Sequence, residues 1–231
     1  MDFCHTAWHP KEDLVVTKAT TPVSFAGSQL DDTRHVCAFF NSEDEGYRVL
    51  LPFIKEGFER GDKAIHVVSP QQYDSHLQRL AGVGIDPMGA IQSRQFEVQI
   101  NTEAYLRNGR FDQDRMLQTF EEMASGNAAG GFPLSRIVCN MDWAASEAQS
   151  HMPDLIEFEA RVNDVWLRHD DVVICVYDLN QIGGDVVIDI MRTHPMIIIG
   201  GTLHKNPFYI PPQEFLRVLR ERRAGRALHT V

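Results

Sequence analysis

Cysteine is scarce in this 231-residue chain, and no apolar segment approaches the length of a membrane helix. The four cysteines, Cys4, Cys37, Cys139 and Cys175, form no CxxC pair, and the last three lie in short apolar stretches where a free thiol packs as a small apolar group. We therefore predict a reducing, cytoplasmic setting without a disulfide framework. Because residues 1–10 also lack the basic start and apolar core of a secretory signal, we expect no membrane association.

Basic residues are outnumbered by acidic ones, 22 to 32, which leaves a formal net charge of −10. Such a charge repels the phosphates of nucleic acids and anionic lipids, so direct nucleic-acid binding is not expected. The exception is the C-terminus, where residues 215–231 carry five arginines and one glutamate. These cations suit the dipole of a C-terminal helix. They also offer a docking surface for an acidic partner, for which the candidate contacts are Arg217, Arg220 and Arg223.

The motifs of common nucleotide-binding enzymes are missing as well. A P-loop requires G-x-x-x-x-G-K-[ST] after the first strand, so that backbone N–H groups and a lysine surround the phosphates. After the apolar run His35–Phe40, positions 41–46 read NSEDEG, without lysine and with three carboxylates that would repel a triphosphate. Ser42 and Glu45 have the spacing of a helix capping box. Since no G-x-S-x-G elbow and no zinc-enzyme motif occur either, we predict no catalytic residue and no metal site.

Short apolar runs alternate with longer segments of helical periodicity along most of the chain. This alternation predicts an α/β fold of three layers, a mostly parallel sheet with helices on both faces. Residues 34–231 are interpreted as one domain, preceded by a weakly periodic and partly mobile extension over residues 1–33. Pro70 is predicted to open the second helix, and Gly126–Gly131 to link a helix to a strand. The predicted strands are His35–Phe40, Ala64–Val68, Phe96–Ile100, Arg136–Met141, Val172–Tyr177 and Met196–Ile199.

Candidate ligand-binding residues follow from this fold, because ligands of open parallel sheets bind beyond the carboxyl ends of the strands. His35 opens the first strand and His194 precedes Pro195 in a turn, so each is either a ligand-facing group or a structural polar residue. Trp143 and Tyr177 follow two predicted strands and suit a pocket wall with a polar tip. The predicted ligand-binding set is His35, Asn41, Glu45, Trp143, Tyr177, Asp178, His194, Asn206 and Tyr209.

Six blocks of the sequence match a known family, namely His35–Phe40, Leu51–Phe58, Tyr105–Asp112, Phe158–Arg161, Met191–Pro195 and Asn206–Pro212. On these blocks the chain resembles the MEDS family, a sensory domain named after methanogens, methylotrophs and the regulator DcmR. The resemblance runs from about Arg34 to Leu219. Its most specific parts are the last two blocks, which contain Arg-Thr-His-Pro and Asn-Pro-x-Tyr-x-Pro-Pro.

The resemblance implies a RecA/KaiC-like fold, without a functional P-loop, that serves regulation. The family is associated with sensing of small molecules, including hydrocarbon derivatives, and with DNA-binding or histidine-kinase modules. No such module is recognised in this sequence, so the resemblance implies regulation of a separate protein, such as a histidine kinase or transcription regulator. Where the family commonly places a glutamate before Met-x-Trp, this chain has Asn140, and a neutral amide cannot act as a general base.

Three functions stay open on the sequence. The leading hypothesis is a stand-alone cytoplasmic sensory domain that binds a small ligand at the carboxyl edge of the sheet and regulates a partner protein, without catalysis. The first alternative is a protein-interaction module whose pocket is filled by its own side chains. The second alternative is an atypical nucleotide-binding protein or NTPase. The sequence identifies neither the ligand nor any cofactor, and it leaves a homodimer open.

Overall fold

The computed structural model describes residues 22–30, 32–146 and 151–228, so Cys4 and most of the predicted N-terminal extension lie outside the described residues. The strands are β1 (Val23–Phe25), β2 (Ser28–Leu30), β3 (His35–Phe40), β4 (Lys63–Val68), β5 (Phe96–Ile100), β6 (Leu106–Arg107), β7 (Arg110–Phe111), β8 (Ser135–Asn140), β9 (Val172–Asp178), β10 (Met196–Ile199) and β11 (Thr202–Lys205). The helices are α1 (Glu43–Arg60), α2 (Tyr73–Gly82), α3 (Pro87–Gln92), α4 (Asn101–Tyr105), α5 (Gln113–Ala129), α6 (Trp143–Ser146), α7 (Met152–Trp166), α8 (Gly184–Thr193) and α9 (Pro212–Leu228).

The largest sheet in the described part of the chain has seven strands in the order β11-β10-β3-β9-β8-β4-β5, and we call it the main sheet. Neighbouring strands are parallel except β10 and β11, which pair antiparallel. All six predicted strands are present. The sequence analysis missed β11 because Leu203 is its single buried residue, which leaves little periodic signal. Gly200 and Gly201 make the turn before it with positive φ angles of 58° and 76°.

Helices cover both faces of the main sheet. Alternate residues of each strand point to opposite faces, so Cys175 and Tyr177 of β9 enter a core with α5, α7, α8 and α9, whereas Val172 and Ile174 enter a core with α1, α2 and α3. The three-layer α/β fold predicted from the sequence is therefore confirmed. The predicted buried free thiols are confirmed too, at Cys37, Cys139 and Cys175.

The described part of the predicted N-terminal extension packs against the domain. Strands β1 and β2 form an antiparallel hairpin, and its residues Val23, Phe25 and Leu30 are buried in the core that contains α1. The ring of Phe25 lies 4.5 Å from that of Phe53 in α1, centroid to centroid. Sequence periodicity missed the hairpin because each strand has only three residues.

Two predicted helix boundaries are wrong. Helix α5 continues through Gly126 to Ala129, so much of the predicted linker Gly126–Gly131 is helical. A single glycine costs a helix only about 1 kcal/mol relative to alanine, which the tertiary packing of α5 offsets. Pro70 lies in a turn rather than in the first turn of α2, which begins at Tyr73.

Helix α9 is docked on the domain. Phe215 is fully buried in the core, while Arg222 Nη1 lies 2.7 Å from Asp189 Oδ2 of α8 and Arg223 Nη1 lies 2.7 Å from Glu157 Oε2 of α7. Part of the arginine-rich segment is therefore used against the domain's own acidic surface. None of the helices in the described ranges is both long and apolar enough to cross a bilayer.

Arg136, near the start of β8, holds α1 against the main sheet. Its side chain is 2% exposed, with Nε donating to Asp62 Oδ2 at 2.8 Å and Nη1 donating to the Phe53 carbonyl at 2.7 Å. A buried guanidinium needs such partners because an unpaired buried charge is strongly destabilising. Gly57 of α1 makes room for it, since a Cβ at that position would lie 2.6 Å from Arg136 Cδ.

We expect Gly57→Ala to lower the free energy of unfolding by about 1–3 kcal/mol, because the added methyl group must displace Arg136. Urea denaturation followed by circular dichroism measures the change. The control is Gly126→Ala, since no atom lies within 4 Å of a Cβ at that exposed helical position. Helix propensity should raise the stability of this control by up to about 1 kcal/mol. Equal stabilities for the two variants would contradict the close packing of Gly57.

Candidate functional site

A cavity of about 550 Å³ opens at the carboxyl edge of the main sheet. It lies where β3, β4, β8 and β9 end and where α1 and α2 begin, and we call it the edge cavity. Leu50, Ile54 and Val138 are among its apolar wall residues. Pockets for small ligands have volumes of roughly 300–1,000 Å³ and mostly apolar walls with a few polar groups. The edge cavity therefore has the size and the wall of a small-molecule site.

Five predicted ligand-binding residues lie at this edge. Trp143, Tyr177 and Asp178 line the edge cavity. Asn41 and Glu45 lie beside it in the turn from β3 to α1, where the N–H of Asn41 donates to Glu45 Oε2 at 2.8 Å. The structure therefore brings together the predicted residues that follow β3, β8 and β9.

The turn from β3 to α1 occupies the place of a phosphate loop. Ser42 is the N-cap of α1, and its Oγ accepts a hydrogen bond from the N–H of Glu45 at 3.2 Å, which confirms that half of the predicted capping box. The Glu45 carboxylate binds Asn41 instead of the N–H of Ser42, one residue earlier than the box pattern. The carboxylate thus occupies a position where a phosphate loop would present backbone N–H groups to an anion.

Asn140, at the end of β8, joins the strand ends through its side-chain amide. Its Oδ1 accepts from Asn101 Nδ2 at 2.9 Å and from the N–H of Asp142 at 3.0 Å. Its Nδ2 donates to Gln72 Oε1 at 3.1 Å and to Asp142 Oδ2 at 2.7 Å. Burial raises the pKa of Asp142, and the hydrogen bond from Asn140 opposes that rise. Both ends of the amide are used, a role that a carboxylate without a donor could not fill.

A chain of hydrogen bonds that the sequence analysis missed runs beside the edge cavity. Tyr47 Oη lies 2.8 Å from His76 Nδ1, and His76 Nε2 lies 2.8 Å from His66 Nδ1. Burial lowers the pKa of His76 to about 4 and lowers that of His66 well below its usual value. Both imidazoles are therefore neutral at pH 7. The sequence contained one indication of this chain, namely His66 within the apolar run of β4, and a single histidine does not predict a particular function.

Two residues of the cavity wall each keep a buried polar atom without a hydrogen-bond partner in the described part of the chain. These atoms are His66 Nε2 and Asn101 Oδ1. The chain from Tyr47 through His76 can run in either direction, so His66 Nε2 is a donor in one arrangement and an acceptor in the other. Buried polar groups normally have partners, so these two atoms are exceptions in the described part of the chain.

The lining of the edge cavity is acidic. It includes Glu43, Asp142 and Asp178, and no lysine or arginine occurs among the described lining residues. Arg79 of α2 is nearby, but its Nη2 donates to Asp44 Oδ1 at 2.6 Å and its Nε lies 3.8 Å from Glu43 Oε1. A phosphate-bearing ligand would meet like charges here without the lysine that a P-loop supplies.

Four predicted ligand-binding residues lie elsewhere, so their assignment to the carboxyl edge is wrong. His35 is the first residue of β3 and His194 precedes β10 by two positions, which places both at the amino ends of parallel strands. Asn206 follows the antiparallel strand β11 and therefore reaches the same edge, where its Nδ2 donates to the His194 carbonyl at 2.7 Å. The N–H of Tyr209 donates to the Asn206 carbonyl at 3.3 Å. A ligand-binding role for these residues stays a prediction.

His35 and His194 meet Glu159 of α7 and Cys175 of β9 in what we call the buried cluster. The two Nε2 atoms lie 3.3 and 3.4 Å from the same Glu159 Oε2. Cys175 Sγ lies 3.5 Å from His35 Nε2 and 3.8 Å from Glu159 Oε2. All four side chains are buried. No sequence pattern predicted this cluster, because its members come from four separate elements.

Burial and the neighbouring groups set the charges of the buried cluster. Burial lowers the pKa of His194 to about 3, and the adjacent His35 adds to this effect. Burial alone would raise the pKa of Glu159, but the facing histidines and the hydroxyl of Tyr177 keep it below its usual value. Tyr177 Oη donates to Glu159 Oε1 at 2.8 Å. Tyr177 is also one of the residues that line the edge cavity, so this residue is next to both the cavity and the cluster.

The three arginines predicted as partner contacts have different surroundings. Arg217 is exposed and pairs along α9 with Glu221 at 2.7 Å, and Arg220 is exposed. Arg223 instead pairs with Glu157 of α7. The first two guanidinium groups are accessible on the surface of α9, and their role in docking a partner stays a prediction.

The fold and the site define an α/β protein of the RecA-like class whose phosphate loop is replaced by a capped acidic turn. A KaiC-like protein from the hyperthermophilic archaeon Pyrococcus horikoshii OT3 has a similar fold, with a TM-score of 0.52 and 12% identity over 71% of this chain and 70% of that chain. The flagellar accessory protein FlaH from Methanocaldococcus jannaschii aligns with a TM-score of 0.47 and 14% identity over 80% of this chain and 84% of that chain.

The family is identified by sequence comparison. The family described as MEthanogen/methylotroph, DcmR Sensory domain matches residues 34–195, and this chain belongs to that family, MEDS. The transcriptional repressor DcmR of Methylorubrum extorquens is 26% identical over 186 residues, which are 80% of this chain and 66% of that relative. The chain thus spans just under two thirds of the repressor's length. These matches confirm the predicted family and a sensory, regulatory role.

We expect the fold to lose stability in mild acid because of His76. Its folded-state pKa of about 4 lies below the ordinary value of 6.5, so its neutral form stabilises the fold fully above pH 6.5 and progressively less as the pH falls towards 4. Between pH 7 and pH 5 this loss is about 2 kcal/mol. Guanidinium denaturation of the unmodified protein and of His76→Gln at both pH values measures it, since glutamine does not titrate. An equal pH dependence in the two proteins would contradict the assignment.

Proposed function

We propose that this chain is a sensory domain that binds a small organic ligand in the edge cavity, without catalysis, and passes the binding event to a regulatory partner. A histidine kinase or a transcription regulator is the kind of partner we propose. Membership of the MEDS family and similarity to a transcriptional repressor support the regulatory part. The observation that carries the ligand-binding part is a cavity of about 550 Å³ with the unpartnered atoms of His66 and Asn101 in its wall.

The chemistry of the wall favours a neutral ligand with an apolar body. Leu50, Ile54 and Val138 offer apolar contact, whose burial is the main source of affinity for small ligands. Asn101 Oδ1 accepts a hydrogen bond, so a matching ligand carries a donor such as a hydroxyl or an amide N–H. His66 Nε2 suits either a donor or an acceptor on the same molecule. A small hydrocarbon derivative with a polar group fits this description.

Three features support sensing over nucleotide hydrolysis. The β3–α1 turn has no lysine, and its Glu45 carboxylate is bound to the backbone of Asn41. Asn140 is a neutral amide whose side chain is hydrogen-bonded to Asn101, Asp142 and Gln72, so it is not a general base. The acidic lining repels phosphates. Together these features favour reversible binding of an uncharged molecule.

Transmission to a partner requires a surface as well as a cavity. The exposed Arg217 and Arg220 of α9 offer a positive patch on an otherwise acidic chain, and we assign the partner contact to that patch. Helix α9 packs on α7 and α8, so its position depends on the layer that also contains Glu159. A change in that layer would therefore move the patch.

A thermal-shift screen tests the proposal, with neutral alcohols, ketones, amides and halogenated hydrocarbons in one arm and ATP with Mg²⁺ in the other. A ligand at about 100 times its Kd should raise the unfolding free energy by about 2.7 kcal/mol. A shift in the ATP arm alone would instead support a nucleotide-binding protein. No shift in either arm would support an interaction module whose cavity takes no ligand.

For any ligand found in this way, we expect His66→Phe to weaken binding about tenfold, because one hydrogen bond of roughly 1.5 kcal/mol is lost. Isothermal titration calorimetry measures the change. The matched control is His204→Phe, since His204 is an exposed residue of β11 that does not line the edge cavity. Equal affinities in the two variants would show that the ligand binds elsewhere.

A further inference from the structure

The hydrogen bonds around His35 determine which of its ring nitrogens carries the proton. Asn163 Nδ2 donates to the carbonyls of Glu159 and Thr193 at 2.9 and 2.8 Å, so its Oδ1 is oriented towards His35. That oxygen lies 3.0 Å from His35 Nδ1 and can only accept, so Nδ1 carries a proton. In the neutral ring, Nε2 then presents a lone pair to the buried cluster.

His194 has the same arrangement. Its Nδ1 lies 2.9 Å from the Ile190 carbonyl, which can only accept, so Nδ1 donates and Nε2 presents a lone pair. His194 is fully buried, and its Nε2 has no hydrogen-bond partner in the described part of the chain. This unpartnered nitrogen points at Glu159 Oε2 from 3.4 Å. Two basic nitrogens and a carboxylate oxygen converge, an arrangement that a cation between them would stabilise.

Four of the six distances within the buried cluster are close to the edges of a tetrahedron around a metal ion. Ligand atoms bound at 2.0–2.3 Å to a tetrahedral ion lie roughly 3.3–3.7 Å from one another. Four of the six distances between donor atoms are 3.3, 3.4, 3.5 and 3.8 Å, and the two that involve His194 with His35 and with Cys175 are within 4.8 Å. The donors come from β3, α7, β9 and the turn before β10, so an ion would join four elements.

Outer hydrogen bonds orient these donors as they do in metal sites. Metal-binding histidines typically donate their second ring N–H to a carbonyl or carboxylate, as His35 does to Asn163 and His194 does to the Ile190 carbonyl. Glu159 is held in the same way, since its Oε1 accepts from Tyr177 while Oε2 faces the cluster. The orientation of His35, His194 and Glu159 is thus set by partners outside the cluster.

We propose that His35, Glu159, Cys175 and His194 bind one divalent transition-metal ion of the zinc type. Two neutral imidazoles, one carboxylate and one thiolate neutralise a 2+ charge, which suits a fully buried site. On binding, the metal–sulfur bond replaces the S–H bond of Cys175, and the proton leaves to solvent. With four protein donors the coordination is complete, so the ion holds α7 and the β10 turn to the main sheet and takes no part in a reaction. This site is separate from the edge cavity and does not depend on the proposed ligand.

Metal analysis of the purified full chain by inductively coupled plasma mass spectrometry is the first test. We expect about one equivalent of metal per chain, and a chelator-stripped protein that regains thermal stability with Zn²⁺. In the competing arrangement His35 carries a second proton and donates to Glu159, which leaves no place for a cation. A stripped protein whose melting temperature does not respond to Zn²⁺ would overturn the proposal in favour of that arrangement.

The Zn²⁺ affinities of single-residue variants test whether the ion binds at the buried cluster. Cys175→Ala should weaken Zn²⁺ binding by more than about 100-fold, because replacing even an outer-shell partner typically costs 10–100-fold. The matched control is Cys139→Ala, which removes a buried thiol paired directly beside Cys175 on β8 and should leave the affinity unchanged. Cys4→Ala is a second control, since Cys4 has two histidines nearby in the sequence, His5 and His9. Equal affinities for Cys175→Ala and Cys139→Ala would refute the site.

Binding of Co²⁺ tests the site without a core substitution, so it still gives a result if Cys175→Ala does not fold. Co²⁺ added to the stripped Cys4→Ala protein should give a thiolate-to-cobalt charge-transfer band, and its absence would exclude Cys175 as a donor. Tyr177→Phe retains all four donors but removes the hydrogen bond to Glu159 Oε1, so we expect about tenfold weaker Zn²⁺ binding with the band intact. An affinity unchanged by Tyr177→Phe together with a missing band would count against the whole arrangement.

Discussion

The side chain of Glu159 is fully buried between α7 and the main sheet. Its carboxylate needs hydrogen-bond partners there, and this requirement constrains the positions of the surrounding segments. A buried carboxylate is destabilising by several kcal/mol unless it is paired and hydrogen-bonded. Its partners are His35 and His194 on one oxygen and Tyr177 on the other. These partners belong to β3, β9 and the turn before β10, the three adjacent segments of the main sheet that α7 covers. The Glu159 carboxylate therefore has all of its partners only when β10, β3 and β9 are neighbours in this order.

Strand β9 contributes residues to both the edge cavity and the buried cluster. Cys175 enters the buried cluster, and two positions later Tyr177 binds Glu159 while also lining the edge cavity. Alternation along the strand puts both side chains on the α7 face, separated by about 7 Å of backbone. Tyr177 is thus next to both the edge cavity and the buried cluster.

The carboxyl edge combines a RecA/KaiC-like fold with a turn that lacks the residues of a phosphate loop. In such sheets the strand ends and helix starts form a crevice whatever the loop sequence, because the topology places them together. Here the β3–α1 turn is closed by Ser42 and Glu45, while Asn140 joins the neighbouring strand ends. The cavity that remains has apolar walls and neutral imidazoles at its side. The scaffold supplies the position of the site, and the loop residues supply its chemistry.

The amino-acid sequence by itself determined the layers of the fold and the family. Parallel strands buried on both faces are continuously apolar, so His35–Phe40 and Val172–Tyr177 were recognisable without any partner. The missing lysine and the capped turn at Ser42 were equally local. Short elements such as β1 and β11 escaped because three or four residues carry too little periodicity.

The convergence of side chains was decided only by the tertiary structure. Cys175 and His35 meet across 140 positions of sequence, and their contact exists because β3 and β9 are neighbours in the sheet. Asn206 was assigned to the wrong edge because the direction of β11 is a property of strand pairing. The hydrogen bond between His66 and His76 likewise exists only because α2 packs beside β4. Periodicity along one segment says which face a residue occupies, but the order and direction of strands decide which residues share a site.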